Sequence, residues 1–228
     1  MGIIGLLPAA GKATRIGGIP KWLLPVPVTG HLLNRHVQMM IRASVDATWI
    51  AAGVHNVTLI NEYKPAEARI YVGNSRTMAD DVLVARPLTG DARVIMGMPD
   101  TYFDNPTVYN VLRRYERDAD VVVAVWRIRD DQRGQLGQVA IDEDGYVADV
   151  IDKSLTCPYP WSWGAMLWNP VFWEFIKPDM PHVGHALMPA IQAGLKVKAH
   201  IVDGEYTDCG TPEAYWRLCS TFVKEAVK

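Results

Sequence analysis

Short apolar runs alternate with amphipathic stretches along this chain, and that alternation constrains its fold more than any single motif. Residues 3–7, 57–60, 70–72, 93–96 and 120–125 read as strands. Between them, residues 32–52, 76–85 and 107–117 carry helical periodicity; Leu33, Val37, Met40 and Ile41 mark one face of the first. Strands alternating with helices build a parallel sheet covered on both faces. Residues 138–141 and 146–151 flank Asp142-Glu143-Asp144-Gly145, a turn signal that makes them an antiparallel hairpin. A further apolar run at 166–168, a helix over 182–194 ended by Gly194, a strand over 196–202 and a helix opened by Pro212 complete the pattern. The expected fold class is therefore α/β: a Rossmann-like, three-layer αβα arrangement with a mixed, mainly parallel sheet. No internal repeat, low-complexity tract or linker divides residues 1–228, so one domain is expected.

Charge and composition narrow the function. The 228 residues carry 23 Lys+Arg against 25 Asp+Glu, a formal net of −2, so nothing provides the basic excess of a nucleic-acid binder. No apolar run reaches membrane-spanning length. The apolar start, 1–7, lacks a basic lead and runs straight into a small-residue loop, so it reads as a buried strand and not a signal peptide. Three cysteines, Cys157, Cys209 and Cys219, are odd in number and form no CxxC pair. A reduced, cytoplasmic protein is the natural expectation.

The familiar catalytic and phosphate-binding motifs are missing. Gly11-Lys12 is followed by Ala13 and so forms no Walker loop; there is no GxGxxG after the first strand, no GxSxG, no HExxH and no zinc-type cysteine cluster. What the first strand does run into is Pro8-Ala9-Ala10-Gly11-Lys12-Ala13-Thr14-Arg15, followed by Pro20-Lys21-Trp22-Leu23-Leu24-Pro25-Val26. Small residues let a backbone approach a ligand and turn its N–H groups inward. In an open α/β sheet, ligands sit at the carboxyl ends of strands. Arg15 can grip phosphate oxygens as a fork, and Lys12 and Lys21 add point charges. Two readings remain on the residues alone: a polyphosphate cradle, or a surface loop with solvated charges.

The same stretch resembles the signature of the sugar-1-phosphate nucleotidyltransferases, glucose-1-phosphate thymidylyltransferases among them: AAG-x-G-T-R, a spacer, then P-K-x-L-L-P-V. Ala13 stands at the family's second glycine, and the spacer 16–19 is short. Further segments follow in the family's order. Met98-Pro99-Asp100 matches a Gly-Asp whose aspartate binds magnesium, with Pro99 for the glycine. Val150-Ile151-Asp152-Lys153 matches an E-K-P segment whose lysine contacts the sugar phosphate, with Asp152 for Glu and Ser154 for Pro. Trp163-Gly164-Ala165-Met166-Leu167-Trp168 matches the strand lining the sugar pocket. Tyr206-Thr207-Asp208-Cys209-Gly210-Thr211-Pro212 matches W-x-D-x-G-T-P, whose aspartate binds the same metal.

The resemblance implies transfer of NMP from a nucleoside triphosphate to a sugar-1-phosphate, giving an NDP-sugar and pyrophosphate. It implies Mg²⁺ held by Asp100 and Asp208, and Arg15 and Lys21 as the catalytic cations. Ala9, Ala10, Gly11, Lys12, Ala13 and Thr14 would wrap the nucleotide, with Asn74, Ser75 and Thr77 in the base-reading segment 73–80. Lys153, Trp163 and Gly164 would hold the acceptor. Residues from about 1 to 120 would then bind nucleotide, and those from about 121 to 228 the acceptor. The chemistry agrees. Two anions must approach each other in line, so positioning and charge neutralisation dominate, and magnesium takes hard oxygen ligands from one or two carboxylates plus phosphates.

Each residue also has a plain alternative. Asp208 can cap the helix at Pro212, Asn74 or Ser75 can cap the helix after it, and Lys153 can be a solvated lysine. Trp161, Trp163, Trp168 and Trp173 suit a sugar-facing wall, a cage for a quaternary amine such as phosphocholine, the core, or a contact between copies of the chain. A cytidylyltransferase acting on a non-sugar phosphate is thus the alternative enzyme. A nucleotide- or sugar-nucleotide-sensing module without catalysis is the alternative of another class, motivated by Ala13 and Pro99. His182 and His185 lie three apart with no third metal ligand nearby in sequence and read as structural or surface residues. Asp80-Asp81 and Asp130-Asp131 read as solvated charge, and Cys209 as packing.

Overall fold

A computed structural model describes residues 2–13, 17–73, 76–114 and 119–226. In chain order, strand β1 is Ile3–Pro8, and the short strands β2 (Pro25–Val26) and β3 (Gly30–His31) lead into helix α1 (Leu32–Arg42). Then come β4 (Ala47–Ala52), α2 (Val57–Tyr63), β5 (Ala68–Val72), α3 (Met78–Val84), α4 (Arg86–Thr89), β6 (Arg93–Gly97) and β7 (Thr101–Phe103). Helix α5 (Val108–Arg114) precedes β8 (Val121–Arg127), the hairpin β9 (Gly137–Ile141) and β10 (Val147–Asp152), and β11 (Trp161–Trp168). Helix α6 (Leu187–Gln192), β12 (Val197–Ile201), β13 (Tyr206–Asp208) and α7 (Pro212–Ala226) finish the chain.

One nine-stranded sheet runs β10-β9-β11-β6-β1-β4-β5, with β8 between β11 and β12 on a branch. β1 pairs parallel with β4 and β6, β4 with β5, and β8 with β12. β11 runs antiparallel to β6, β8 and β9, and β10 antiparallel to β9. Only β10 and β11 therefore point against the other strands, which makes the sheet mixed and mostly parallel. Its central strands read as near-continuous apolar runs because both faces are covered; β6 and the first six residues of β8 are buried throughout. Leu7, Ile95, Val122 and Leu167 pack on one face, and Leu6, Val94, Val123 and Met166 on the other.

Three expected elements differ. The run expected as a helix over 32–52 splits: α1 stops at Arg42, Ser44 turns through φ +53°, and β4 begins at Ala47. Thr48, Trp49 and Ile50 are β-favouring residues that the parallel register with β1 pulls into the sheet. Residues 57–60, expected as a strand, form helix α2. Asn56 closes the turn before it, accepting from the Gly53 N–H at 2.8 Å and donating from Nδ2 to the Ala9 carbonyl at 2.9 Å. An apolar run of four cannot tell strand from helix by period alone. The helix expected over 182–194 holds only from Leu187; Val183–Ala186 is a tighter 3-10 turn. Among the described residues, no helix is long and apolar enough to cross a membrane.

Candidate active site

A groove crosses the carboxyl ends of β1 and β6, where an open α/β sheet places its ligands. Three adjoining cavities form it. The first, about 270 Å³, is lined by Ala9, Gly11, Lys12, Ala13, Lys21 and Asp100 among others. The second, about 510 Å³, adds Ala10, Thr77 and Asp81. The third, about 230 Å³, contains Lys21, Asp100, Lys153, Trp163 and Asp208. Asp100 borders all three. Residues as far apart in sequence as Pro8 and Asp208 are thus gathered around one carboxylate by the sheet order.

The loop after β1 is pinned by backbone bonds. The Ala9 N–H donates to the Ala51 carbonyl at 2.9 Å, and both Ala9 and Ala10 are buried. Gly11 differs from most glycines of the fold: a Cβ there would meet nothing within 4 Å, and its φ is not in the left-handed region. Neither conformation nor packing requires a glycine, and the space it leaves open belongs to the groove. Ala13 does occupy the left-handed region, at φ +52°. The alanine thus keeps a backbone conformation that favours glycine. Thr14, Arg15, Asn74 and Ser75, expected in the nucleotide site, lie outside the described residues.

The expected metal pair is brought together by a small sheet. β7 and β13 pair antiparallel with Asp208 opposite Thr101, and the Cys209 N–H donates to the Asp100 carbonyl at 3.1 Å. Lys21, placed by a 3-10 turn at Lys21–Leu23, reaches Asp100 Oδ2 at 3.3 Å. A Cβ on Gly210 would sit 2.9 Å from Asp208 Oδ1 and displace that carboxylate. Beneath β7, His36 is buried between Tyr109 Oη (Nδ1, 2.5 Å) and the Thr101 carbonyl (Nε2, 2.9 Å). Burial drives its pKa down to about 4, so it is neutral. It accepts from the tyrosine and donates to the carbonyl, which holds β7 to α1 and thereby fixes Asp100.

On the side expected to take the acceptor, Lys153 follows β10 with φ +47°. Gly164 sits in a bulge of β11, where the register against β8 shifts, and a Cβ there would lie 2.2 Å from a Tyr206 ring carbon. Trp163 lies flat against two more glycines: a Cβ on Gly137 or Gly184 would come within 2.4 Å of its indole. Of the four tryptophans at 161, 163, 168 and 173, Trp163 lines the cavity shared with Lys153, while Trp168 and Trp173 pack edge to face at 5.3 Å in the core.

Some groups differ from expectation. Asp80 and Asp81 are buried, not solvated. Asp80 accepts from the Asp179 N–H at 3.0 Å, and Asp81 fills the space over Gly73, where a Cβ would meet its Oδ1 at 2.2 Å. Their adjacency in a helix first turn looked like ordinary solvated charge; only the strand end at Gly73 signalled a close approach. Thr77 caps α3, accepting from the Asp80 N–H at 3.1 Å, while also bordering the largest of the three groove cavities. His182 and His185, expected as structural or surface residues, are half-buried and border two adjoining cavities beside Asp152. Burial lowers the His182 pKa, against the opposing pull of Asp152. Cys209 is buried, and burial raises its thiol pKa far from nucleophilic range, in keeping with a packing role.

No family model matches the chain. A 2-C-methyl-D-erythritol 4-phosphate cytidylyltransferase of Saccharopolyspora erythraea is 31% identical over 166 residues, 68% of this chain and 70% of that protein. A UDP-glucose pyrophosphorylase solved with UDP-glucose superposes with a TM-score of 0.84 at 19% identity, over 99% of this chain and 100% of that one. A protein assigned as a glucose-1-phosphate thymidylyltransferase, from Bacillus anthracis and solved with sucrose, gives 0.84 at 16% over 96% and 94%. A UTP-bound UGPase from Acinetobacter baumannii gives 0.76 at 16% over 97% and 93%.

Proposed function

The chain belongs to the nucleotidyltransferase family represented by that cytidylyltransferase, with the nucleotide-diphospho-sugar transferase fold, and we propose that it transfers NMP from a nucleoside triphosphate to a sugar-1-phosphate. The observation that carries this reading is the convergence of Lys21, Asp100, Lys153 and Asp208 on one cavity. Four separate segments of a 228-residue chain would not meet there as solvated charges.

Residues before about 120 supply the nucleotide side. The loop 8–13 presents backbone and Lys12 to the phosphates, and Gly11 leaves them room. Lys21 neutralises charge as pyrophosphate departs; Arg15 is its expected partner. Asp100 and Asp208 are a hard-oxygen donor pair that fits Mg²⁺, whose charge would draw the phosphate oxygens together. Residues after about 121 supply the acceptor side. Lys153 holds the acceptor phosphate in line, and Trp163 offers an apolar face to the sugar ring. The acceptor phosphate is already an anion near neutral pH, so no general base is needed.

The sequence relative motivates a second acceptor, a non-sugar phosphate of the polyol type, received by the same residues. Pyrophosphate release, measured with Mg²⁺ across nucleoside triphosphates against sugar-1-phosphates, polyol phosphates and phosphocholine, separates these readings. One active pair extinguished by Asp100→Ala is the expected outcome. Nucleotide binding by calorimetry with release in no combination would replace catalysis by a sensing role.

A further inference from the structure

We infer that Asp152, His182 and His185 form a second cation site, for a transition metal of the zinc class, separate from the Asp100–Asp208 pair. Asp152 closes β10, His182 caps the 3-10 turn Val183–Ala186, and His185 lies within that turn. Side chains three apart on a 3-10 turn eclipse, and the two imidazole centroids are 4.4 Å apart. The carboxylate spans them: Oδ1 lies 3.1 Å from His182 Nε2, and Oδ2 lies 3.5 Å from His185 Nε2. One ligand atom from each of the three residues lies within 4.8 Å of the others. Tetrahedral zinc, with bonds near 2.1 Å, sets its donors about 3.4 Å apart.

These contacts are not simply Asp–His hydrogen bonds. Asp152 Oδ1 and His185 Nε2 are both buried and lack a hydrogen-bond partner, which is costly unless something else satisfies them. An ion seated between the donors would. The scaffold beneath is rigid: the His185 N–H donates to the His182 carbonyl at 3.1 Å, and Gly184 lies against Trp163 with no room for a Cβ. Beside the three ligands a cavity of about 170 Å³, closed by Val150, Trp163, Gly184 and Met188, leaves space for oxygen donors to complete the shell. The donor set selects the metal. Two imidazoles and one carboxylate suit Zn²⁺, Co²⁺ or Ni²⁺, whereas magnesium and calcium prefer oxygen alone.

Titrating the metal-free full chain with Co²⁺ and following its visible absorption tests the site without any turnover. One saturable equivalent per chain, displaced by Zn²⁺, is expected. His185→Ala, at a side chain 35% exposed, and His182→Gln should each weaken binding at least tenfold, whereas Asp100→Ala and a change at the exposed His55 in the turn before α2, His55→Ala, should keep it. Zn²⁺ should also raise the melting temperature of the unmodified chain and not that of His185→Gln. Absence of a Co²⁺ band, a band undiminished in both histidine variants, or one abolished by Asp100→Ala would overturn the site. Because Co²⁺ binding needs neither nucleotide nor acceptor, its failure leaves the transferase reading standing, and the reverse also holds.

Discussion

Gly11 and Lys153 make opposite demands on the backbone, and each gives a test of its role. At Gly11 the fold tolerates a side chain, since a Cβ meets nothing. Gly11→Val should therefore shift stability by no more than ~0.5 kcal/mol, the range of ordinary surface changes. A nucleotide whose phosphates approach that backbone cannot tolerate it. KM for the triphosphate should rise by about tenfold or more, equivalent to ~1.4 kcal/mol of binding. Unchanged KM would return the loop to a mere surface connection. At Lys153 the backbone sits at φ +47°, a conformation glycine adopts freely. Lys153→Gly removes the ammonium without straining the turn. The expected result is a higher acceptor KM, an unchanged melting temperature and an unchanged KM for the nucleotide. Loss of a charge-assisted phosphate bond is worth about 1.5–3 kcal/mol, so roughly a ten- to hundredfold effect is expected on acceptor kcat/KM.

At the scale of elements, the site depends on close packing around β6 and β7. Gly97 ends β6, and a Cβ there would lie 1.7 Å from the Tyr109 hydroxyl, the group bonded to His36. Gly97→Ala must push Tyr109 away, breaking the bridge between α1, α5 and β7 that holds Asp100. Overpacking of this kind costs about 1–3 kcal/mol. For a chain of this length that is a fall in melting temperature of roughly 3–10 °C. A variant as stable as the parent would show that α5 repacks freely. Elements were legible where period and punctuation agreed: β1, β6, β8 and the β9–β10 hairpin lie close to their expected ranges. The sequence could not show that residues 32–52 split at Ser44, because a non-glycine in the left-handed region leaves no mark. Nor could it show that three-residue strands β7 and β13 pair, which is what sets Asp100 beside Asp208. Order along the chain pointed to these aspartates; only the register explains their proximity. Asp152, His182 and His185 stayed separate for the same reason, thirty positions and one turn apart.

For the molecule as a whole, the neutral His36 couples stability to pH. Its pKa is about 4 in the fold, where burial excludes the charged form, against 6.5 when solvated. Between those values the unfolded chain binds a proton that the folded chain refuses, so acid favours unfolding. This contribution is absent above pH 7, grows as pH falls below 6.5, and levels off below 4. It amounts to about 2 kcal/mol at pH 5 and about 3 kcal/mol at its limit. Urea unfolding at pH 7.5, 6 and 5 should show the midpoint dropping steadily through that window. Carboxylates as a class titrate near pH 4 and do not account for a decline starting near 6.5. His36→Gln should be less stable at neutral pH, because it disturbs the link between Tyr109 and Thr101, yet its midpoint should change less between pH 7.5 and 5. A variant with the same slope as the parent would place the pH response elsewhere. A flatter slope would identify the proton acceptor as the residue that ties α1 to the strand bearing the site, so that acid loosens the active centre and the fold together.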